Sequence, residues 1–307
     1  MDLSVVVPTL NGRDRLAASL DSLASRAPGA EVVVVNGPSA DGTTGMVRER
    51  TDVDVLVEVA DRCINVARNA GIAASSGDAI ALLGFDLTIA EGWVDAIRDG
   101  LAAASAVTGP VSHGDDGENG GGDLERRRIA GRDVRYFNGD NVAFRTATLR
   151  ETLDGFDEYL RTGGARDAAH RLAGAGYQVA WRDGMTTNRE ADEHDGPGPH
   201  GPDEQHRNWK YRSLSYRLTK NYGPRPTVAR RTLAHATGDA ADAARAVLRG
   251  EGSPSAWFGN GREVISGILR GSADGLVARA RDRSETRNPY GLAVEKQRAV
   301  ATYDRRE

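Results

Sequence analysis

Ser4-Val5-Val6-Val7-Pro8-Thr9 is a short β-branched run without alternation that empties into small and polar residues. An apolar run of that length and character is expected of a strand covered on both faces, as in a mainly parallel sheet. Glu31-Val-Val-Val-Val35 and Ile80-Ala-Leu-Leu83 repeat the pattern, and each also runs into a polar loop, Asn36 to Thr43 and Gly84 to Asp86. Open α/β sheets place ligands at such loops, outside the carboxyl ends of their strands. A fourth segment, Ala67-Arg-Asn-Ala-Gly71, falls between the second and third runs.

The rest of the first two hundred residues fits that frame. Leu16, Leu20 and Leu23, and later Trp93, Ile97 and Leu101, recur at helical spacing, and Ile64 to Ala74 also reads as helix. Strands alternating with helices predict an α/β class. From Asn138 onward the chain is expected to form a strand (Val142 to Phe144), a helix after Thr146, a turn at Gly155-Phe-Asp-Glu158, a helix around Asp167 to Ala175 and a strand from Gln178 to Trp181. His113 to Asp123 and Asp192 to Gln205 read as surface loops, being rich in glycine, proline and acid. No internal repeat is visible.

With 307 residues and 39% hydrophobic content, the chain can bury a full core and still leave a smaller second element. The single cysteine, Cys63, excludes an intramolecular disulfide and fits a reducing compartment. A strand expected from Leu3 leaves no room for a signal peptide, and no window approaches the ~18 apolar residues of a spanning helix. The expectation is a cytoplasmic protein, soluble or peripheral on the inner face of the membrane. Residues 1–206 hold 34 acidic and 20 basic side chains, a net of −14, whereas residues 207–307 hold 10 and 20, a net of +10. That asymmetry predicts a boundary near 206 between an acidic body and a basic helical extension. It also suggests an anionic partner, with a membrane surface favoured over nucleic acid because no nucleic-acid module is recognisable.

The ordered combination of motifs over roughly residues 3 to 190 resembles the family 2 glycosyltransferases of the GT-A fold. The resemblance implies a Rossmann-like mixed sheet with helices on both faces and a nucleotide-sugar donor bound at the strand ends. It also implies transfer of a sugar to a glycan or lipid-linked acceptor, assisted by Mg or Mn. Pro8-Thr9 matches the end of the family's first strand. Asn36-Gly-Pro-Ser-Ala-Asp-Gly-Thr43 matches the second motif, with Asn36 where an aspartate usually meets the base. An amide offers a donor and an acceptor where a carboxylate only accepts, so the preferred base is left open. Arg68 and Asn69 match the segment that closes over the nucleotide; a helix-surface salt link is the plainer alternative for Arg68.

Two catalytic positions depart from the pattern. The family's Asp-x-Asp is Gly84-Phe85-Asp86 here, so Asp86 is the remaining candidate metal ligand, with a turn cap as its alternative role. The acceptor-side acidic motif aligns with Gly163-Gly-Ala-Arg-Asp167, where Ala165 replaces the usual base. Asp167 and Asp140 are the two candidate bases. Asn188 or Arg189 stands where a metal-binding His is common, and His194, His200 and His206 follow at irregular spacing. A catalytically impaired sugar-nucleotide-binding or scaffold protein of the same fold is the alternative function. A nicotinamide enzyme lacks its Gly-x-Gly-x-x-Gly after the first strand.

In the extension, Tyr211, Leu214, Leu218 and Tyr222 make one apolar stripe, with Trp209, Tyr216, Lys210, Arg212, Arg217 and Lys220 elsewhere on the wheel. Packing of the stripe on the body and attachment of the basic face to lipid are both expected. Further helices are expected near Ala240 to Leu248 and Val264 to Leu269, with a polar C-terminus that frays.

Overall fold

A computed structural model describes residues 1–113, 123–189, 204–232, 234, 237, 254–281 and 298–306. The expected loops at 113–123 and 192–205 and the expected helix at 240–248 lie wholly or mostly outside those residues. Thirteen strands are present among them: β1 Leu3–Thr9, β2 Glu31–Asn36, β3 Val55–Val59, β4 Ala79–Leu83, β5 Leu87–Ile89, β6 Ala106–Thr108, β7 Val111–His113, β8 Arg126–Ile129, β9 Arg132–Arg135, β10 Asn141–Arg145, β11 Val179–Trp181, β12 Thr187–Arg189 and β13 Ala299–Asp304. The helices are α1 Arg13–Arg26, α2 Thr43–Glu49, α3 Ile64–Ala74, α4 Trp93–Ala103, α5 Gly164–Gly174, α6 Glu204–Tyr222 and α7 Pro254–Arg281.

Eight strands form one mixed sheet in the order β11-β6-β10-β4-β1-β2-β3-β13. Its centre, β4-β1-β2-β3, is parallel, whereas β10 runs antiparallel between β4 and β6. The three apolar runs are buried on both sides, as expected of strands between two helical layers. Alternate side chains serve the two layers. Val5, Val7, Val32 and Val34 pack with Leu16, Leu20 and Leu23 of α1 and Trp93, Ile97 and Leu101 of α4. Val6, Val33, Val35, Ile80 and Leu82 pack with Ala67, Ala70 and Ile72 of α3, with Leu172 of α5 and with Tyr211, Leu214, Leu218 and Tyr222 of α6. Gly71 lets α3 lie close on the sheet, since a Cβ there would overlap Val6.

The extension differs from expectation in two ways. Its end does not fray: residues 299–304 pair antiparallel with β3 and close the sheet edge, so the chain returns to the body beyond the boundary expected at 206. Opposite-strand hydrogen bonds and the contact of Arg48 with the Tyr303 ring, 4.3 Å from guanidinium carbon to centroid, hold it there. Secondly, several α6 side chains expected on a free face are engaged within the protein. Lys220 is buried, Arg212 pairs with Asp274 of α7 at 2.7 Å, and Tyr216 is 1% exposed and donates to Asp157 at 3.1 Å. Gly267, Gly271 and Gly275 of α7 recur every fourth residue against the α6 carbonyls of Asn208, Arg212 and Tyr216, so the two helices lie backbone to backbone. Among the described residues of the extension, the exposed large apolar side chains are Ile265, Leu269, Leu276 and Val277 on α7 and Val300 and Tyr303 on β13. No helix of the described residues is long and apolar enough to cross a membrane.

Candidate active site

The parallel strands β1, β2 and β4 end side by side, and the loops leaving them are laced together. Gly37 N donates to Thr9 O at 2.9 Å. Asn11, left-handed at φ 53°, accepts from Ala40 N at 2.8 Å through its side chain and donates its own N–H to Ser39 Oγ at 2.9 Å. Asn36 is buried with both amide ends engaged: Nδ2 donates to Thr44 Oγ1 and Oδ1 accepts from Ser39 Oγ, each at 2.7 Å. Asp41 accepts from the N–H groups of Arg13 and Thr43, both at 3.1 Å. Partial burial works against that charge, but the hydrogen bonds from Thr43 and Arg13 outweigh it and hold the Asp41 carboxyl below its ordinary range. Asn36 therefore holds the loop through Ser39 and Thr44, while Asn11, which spacing alone did not single out, and Asp41 brace it from either side. Thr9 is different, for its buried Oγ1 has no hydrogen-bond partner among the described residues.

Beside these loops, two carboxylates flank Gly84. A Cβ on that glycine would stand 3.0 Å from Asp86 Oδ1 and 3.1 Å from Asp140 Cβ, so only hydrogen fits between them. The Asp140 loop is pinned to β4 by Gly84 N donating to Asp140 O at 2.8 Å. The next residue, Asn141, is locked from both ends: it accepts from Trp93 Nε1 at 3.0 Å and donates to Met185 O at 2.8 Å. Each carboxylate carries an arginine. Arg68 reaches Asp140 Oδ1 at 2.8 Å and Gly139 O at 2.9 Å from α3, and Arg189 of β12 lies 2.8 Å from Asp86 Oδ2. Burial pushes the Arg68 guanidinium below its ordinary value, and Asp140 is the charge that opposes the shift. Asp140 keeps 41% of its side chain exposed, against 17% for Asp86, so Asp140 is the more accessible carboxylate of the two.

The other expected site residues lie elsewhere. Asn69 holds the turn at 155–158: Nδ2 donates to Phe156 O at 2.9 Å and Glu158 Oε1 at 3.0 Å, and Oδ1 accepts from Phe156 N at 2.7 Å. No polar atom of Asn69 is left for a nucleotide. Asp167 has no exposed surface. Its Oδ1 meets Lys220 Nζ at 2.9 Å and Asn221 Nδ2 at 2.8 Å, and its Oδ2 meets Arg171 Nε at 2.9 Å. Lys220 also bonds Asp157. Although burial alone would raise it, Lys220 and then Arg171 hold the Asp167 carboxyl well below the usual range. A carboxylate so enclosed is a poor proton acceptor and touches no open space. Ala165, next in the same turn, packs against Gly139 beside Asp140.

The implied divalent ion can be tested against these residues. Asp86 and Asp140 are the two carboxylates at the place, each already bears a guanidinium, and no cluster of three His, Cys, Asp or Glu occurs among the described residues. In this arrangement they do not make a divalent-ion site. His194 and His200 lie outside the described residues, as does the side chain of His206.

Comparison with known proteins agrees with the fold. Residues 4–153 match the family model described as Glycosyl transferase family 2. Pre-mycofactocin glycosyltransferase of Mycobacterium tuberculosis, in two strains, is 26% identical over 196 residues, which cover 59% of this chain and 41% of that protein. This chain therefore matches about two fifths of the length of those curated relatives. Among solved structures, S. aureus TarS 1–349 in complex with UDP-GlcNAc superposes with a TM-score of 0.55 at 16% identity, over 71% of this chain and 67% of that one. The mannosyltransferase PcManGT from Pyrobaculum calidifontis, in complex with GDP-Man and Mn2+, gives 0.54 at 19% identity, over 92% and 88%. Residues 4–153 thus resemble the family 2 glycosyltransferases, and the chain has the fold of the GT-A glycosyltransferases.

Proposed function

We propose that the chain transfers a sugar from a nucleotide-sugar donor to a glycan or lipid-linked acceptor. The observation that carries this reading is the pair of arginine-bearing carboxylates on either side of Gly84, set where the β4 strand ends. Such transfer needs a grip on the nucleotide, neutralisation of the departing diphosphate and a base for the acceptor hydroxyl. Pro8, Thr9 and the loop organised by Asn36 supply the grip. Arg189 supplies positive charge at the rim, where a guanidinium pairs well with phosphate oxygens.

Asp140 is the base in this reading. Arg68 fixes one of its oxygens, and the exposed remainder can take the proton of an acceptor hydroxyl as that oxygen attacks the sugar carbon. Arg68 is then a positioning residue under Asp140, and Asp167 belongs to the scaffold. No step is routed through a metal. Mg or Mn, carried by the resemblance and by the Mn2+ of one neighbour, would meet Asp86 here only after Arg189 had moved off it.

Calorimetry with UDP-, GDP- and dTDP-sugars, paired with an assay of nucleoside diphosphate release, tests the proposal. Donor binding with Asp140-dependent release supports transfer. Donor binding without release under any acceptor supports the sugar-nucleotide-binding scaffold.

A further inference from the structure

A second opening lies on the acceptor side of Asp140, between α5, α6 and the β8–β9 hairpin, with a volume of about 680 Å³. Arg127, Arg166, Lys210, Arg217 and Arg231 line it against a single acid, Glu125. Glu125 is already engaged by Arg166 at 2.7 Å and Arg127 at 3.2 Å. His170, at the back, adds no positive charge near neutrality: burial first, then the nearby Arg217, pushes its pKa down to about 3. The lining therefore carries a strong positive excess around one open cleft.

Arg217 is the most informative member. Its Nε is buried and has no hydrogen-bond partner among the described residues. Burial, with the like charges of Arg166 and Arg231, pushes its pKa down to about 10. Asp167 and Tyr136 oppose that shift only in part, and a half-buried guanidinium whose buried Nε lacks a partner beside other cations gains from an anion that joins it. Thr162 and Gly163, which at φ 78° turns the chain into α5, line the opening beside Arg166. Leu214 and Leu218 of α6, with Tyr136, give the opening an apolar wall beside the charges. Through Ala165, which packs on Gly139, the same turn abuts the Asp140 loop.

We propose that this cleft binds a phosphate-bearing acceptor, holding its phosphate among Arg217, Arg231 and Arg166 while the hydroxyl to be glycosylated reaches Asp140. Phosphate fits better than a lone carboxylate because several guanidinium groups converge and one carboxylate cannot satisfy them. The word acceptor rests on the glycosyltransferase reading; the phosphate site itself does not. The phosphate can belong to a soluble phosphoglycan or polyol phosphate, or to a polyprenyl phosphate in a bilayer.

Full-length protein is titrated with a glycerol phosphate oligomer, with a neutral oligosaccharide of similar size, and with phosphatidylcholine vesicles with or without a polyprenyl monophosphate. UDP and GDP titrations run in parallel. Binding of one phosphorylated probe, weakened at least tenfold in both R217Q and R231Q while nucleotide binding stays within twofold, is expected, and the arm that binds identifies the source. Should R217Q fail to fold, R231Q alone carries the comparison. Three results overturn the proposal: phosphorylated and neutral probes binding alike, affinity within twofold of wild type in the folded variants, or competition between the phosphorylated probe and nucleotide. Absence of binding by every phosphorylated probe overturns it as well. Failure of nucleotide binding with phosphate binding intact removes the glycosyltransferase reading and leaves the phosphate site.

Discussion

Lys220→Met tests whether the carboxylates near the acceptor side serve the fold or the reaction. Lys220 Nζ stands between Asp157 and Asp167, both without exposed surface, and its loss leaves Asp167 with Arg171 and Asn221 but Asp157 with two neutral donors and no cation, the Tyr216 hydroxyl at 3.1 Å and the Tyr159 N–H at 3.0 Å. The uncompensated Asp157 then takes up a proton. Protonating a carboxyl of ordinary pKa ~3.9 at pH 7 costs about 4 kcal/mol at 1.36 kcal/mol per unit. Breaking a buried ion pair at one end costs a similar ~3–5 kcal/mol, a large part of the ~5–15 kcal/mol that holds a domain together. Urea denaturation at pH 7 should show a loss near that size, shrinking as pH falls toward 4 because the proton becomes easier to take up. Lys220→Met combined with Asp157→Asn should recover much of the deficit. A loss below ~1 kcal/mol, independent of pH, would refute the claim that α6 is tied to the body through this cluster.

Three further outcomes are expected. Asp140→Asn should lower turnover at least ~100-fold with donor affinity within a few fold, whereas Arg68→Lys, which keeps charge but loses the forked contact to Gly139 and Asp140, should lower turnover by a smaller factor; equal turnover in wild type and Asp140→Asn removes Asp140 as the base. His170, between Tyr222 at 2.7 Å and Tyr136 at 3.4 Å, has its folded pKa lowered to about 3, so the stability it allows is complete above an unfolded pKa near 6.5 and is lost as pH falls below that value. Wild type should therefore lose ~2 kcal/mol relative to His170→Gln between pH 7 and 5 in paired urea titrations, a difference chosen because Asp157, raised by burial, shifts the total in the opposite sense. Lastly, Arg189→Gln should weaken nucleoside diphosphate binding about tenfold without added metal, and Mn2+ should restore part of it through the freed Asp86; unchanged binding in the variant would show that Arg189 does not face the diphosphate.

The sheet and the donor-side loops were legible because their signals are local. Val5–Val7, Val32–Val35 and Ile80–Leu83 declare themselves as doubly covered strands by composition alone, and they are buried as such. Asp140 was legible as an acid near the acceptor side, but its link to Arg68 is not, because the two are 72 residues apart and meet only through the β10–β4 pairing. Asp167 looked catalytic from its place in an acidic motif; its enclosure depends on Lys220 and Asn221 of a helix that motif reading does not reach. The basic face of α6 looked solvent-facing because a helical wheel assumes one covered side, whereas the glycines of α7 bring a second helix against the other. Strand β13 was missed for a related reason: a short, largely exposed segment carries little periodic signal, and its partner β3 lies more than 200 residues earlier.

Donor-dependent product release is the most direct measurement of the whole reading. Purified protein is incubated with a panel of nucleotide sugars and phosphorylated or neutral acceptors, and nucleoside diphosphate release and acceptor mass are followed for wild type and Asp140→Asn. The expected result is an acceptor gaining one sugar mass with release of one nucleoside diphosphate per transfer, abolished in Asp140→Asn while calorimetry still finds the donor bound. No binding of any nucleotide sugar by folded wild-type protein, or transfer that survives Asp140→Asn unchanged, would contradict it.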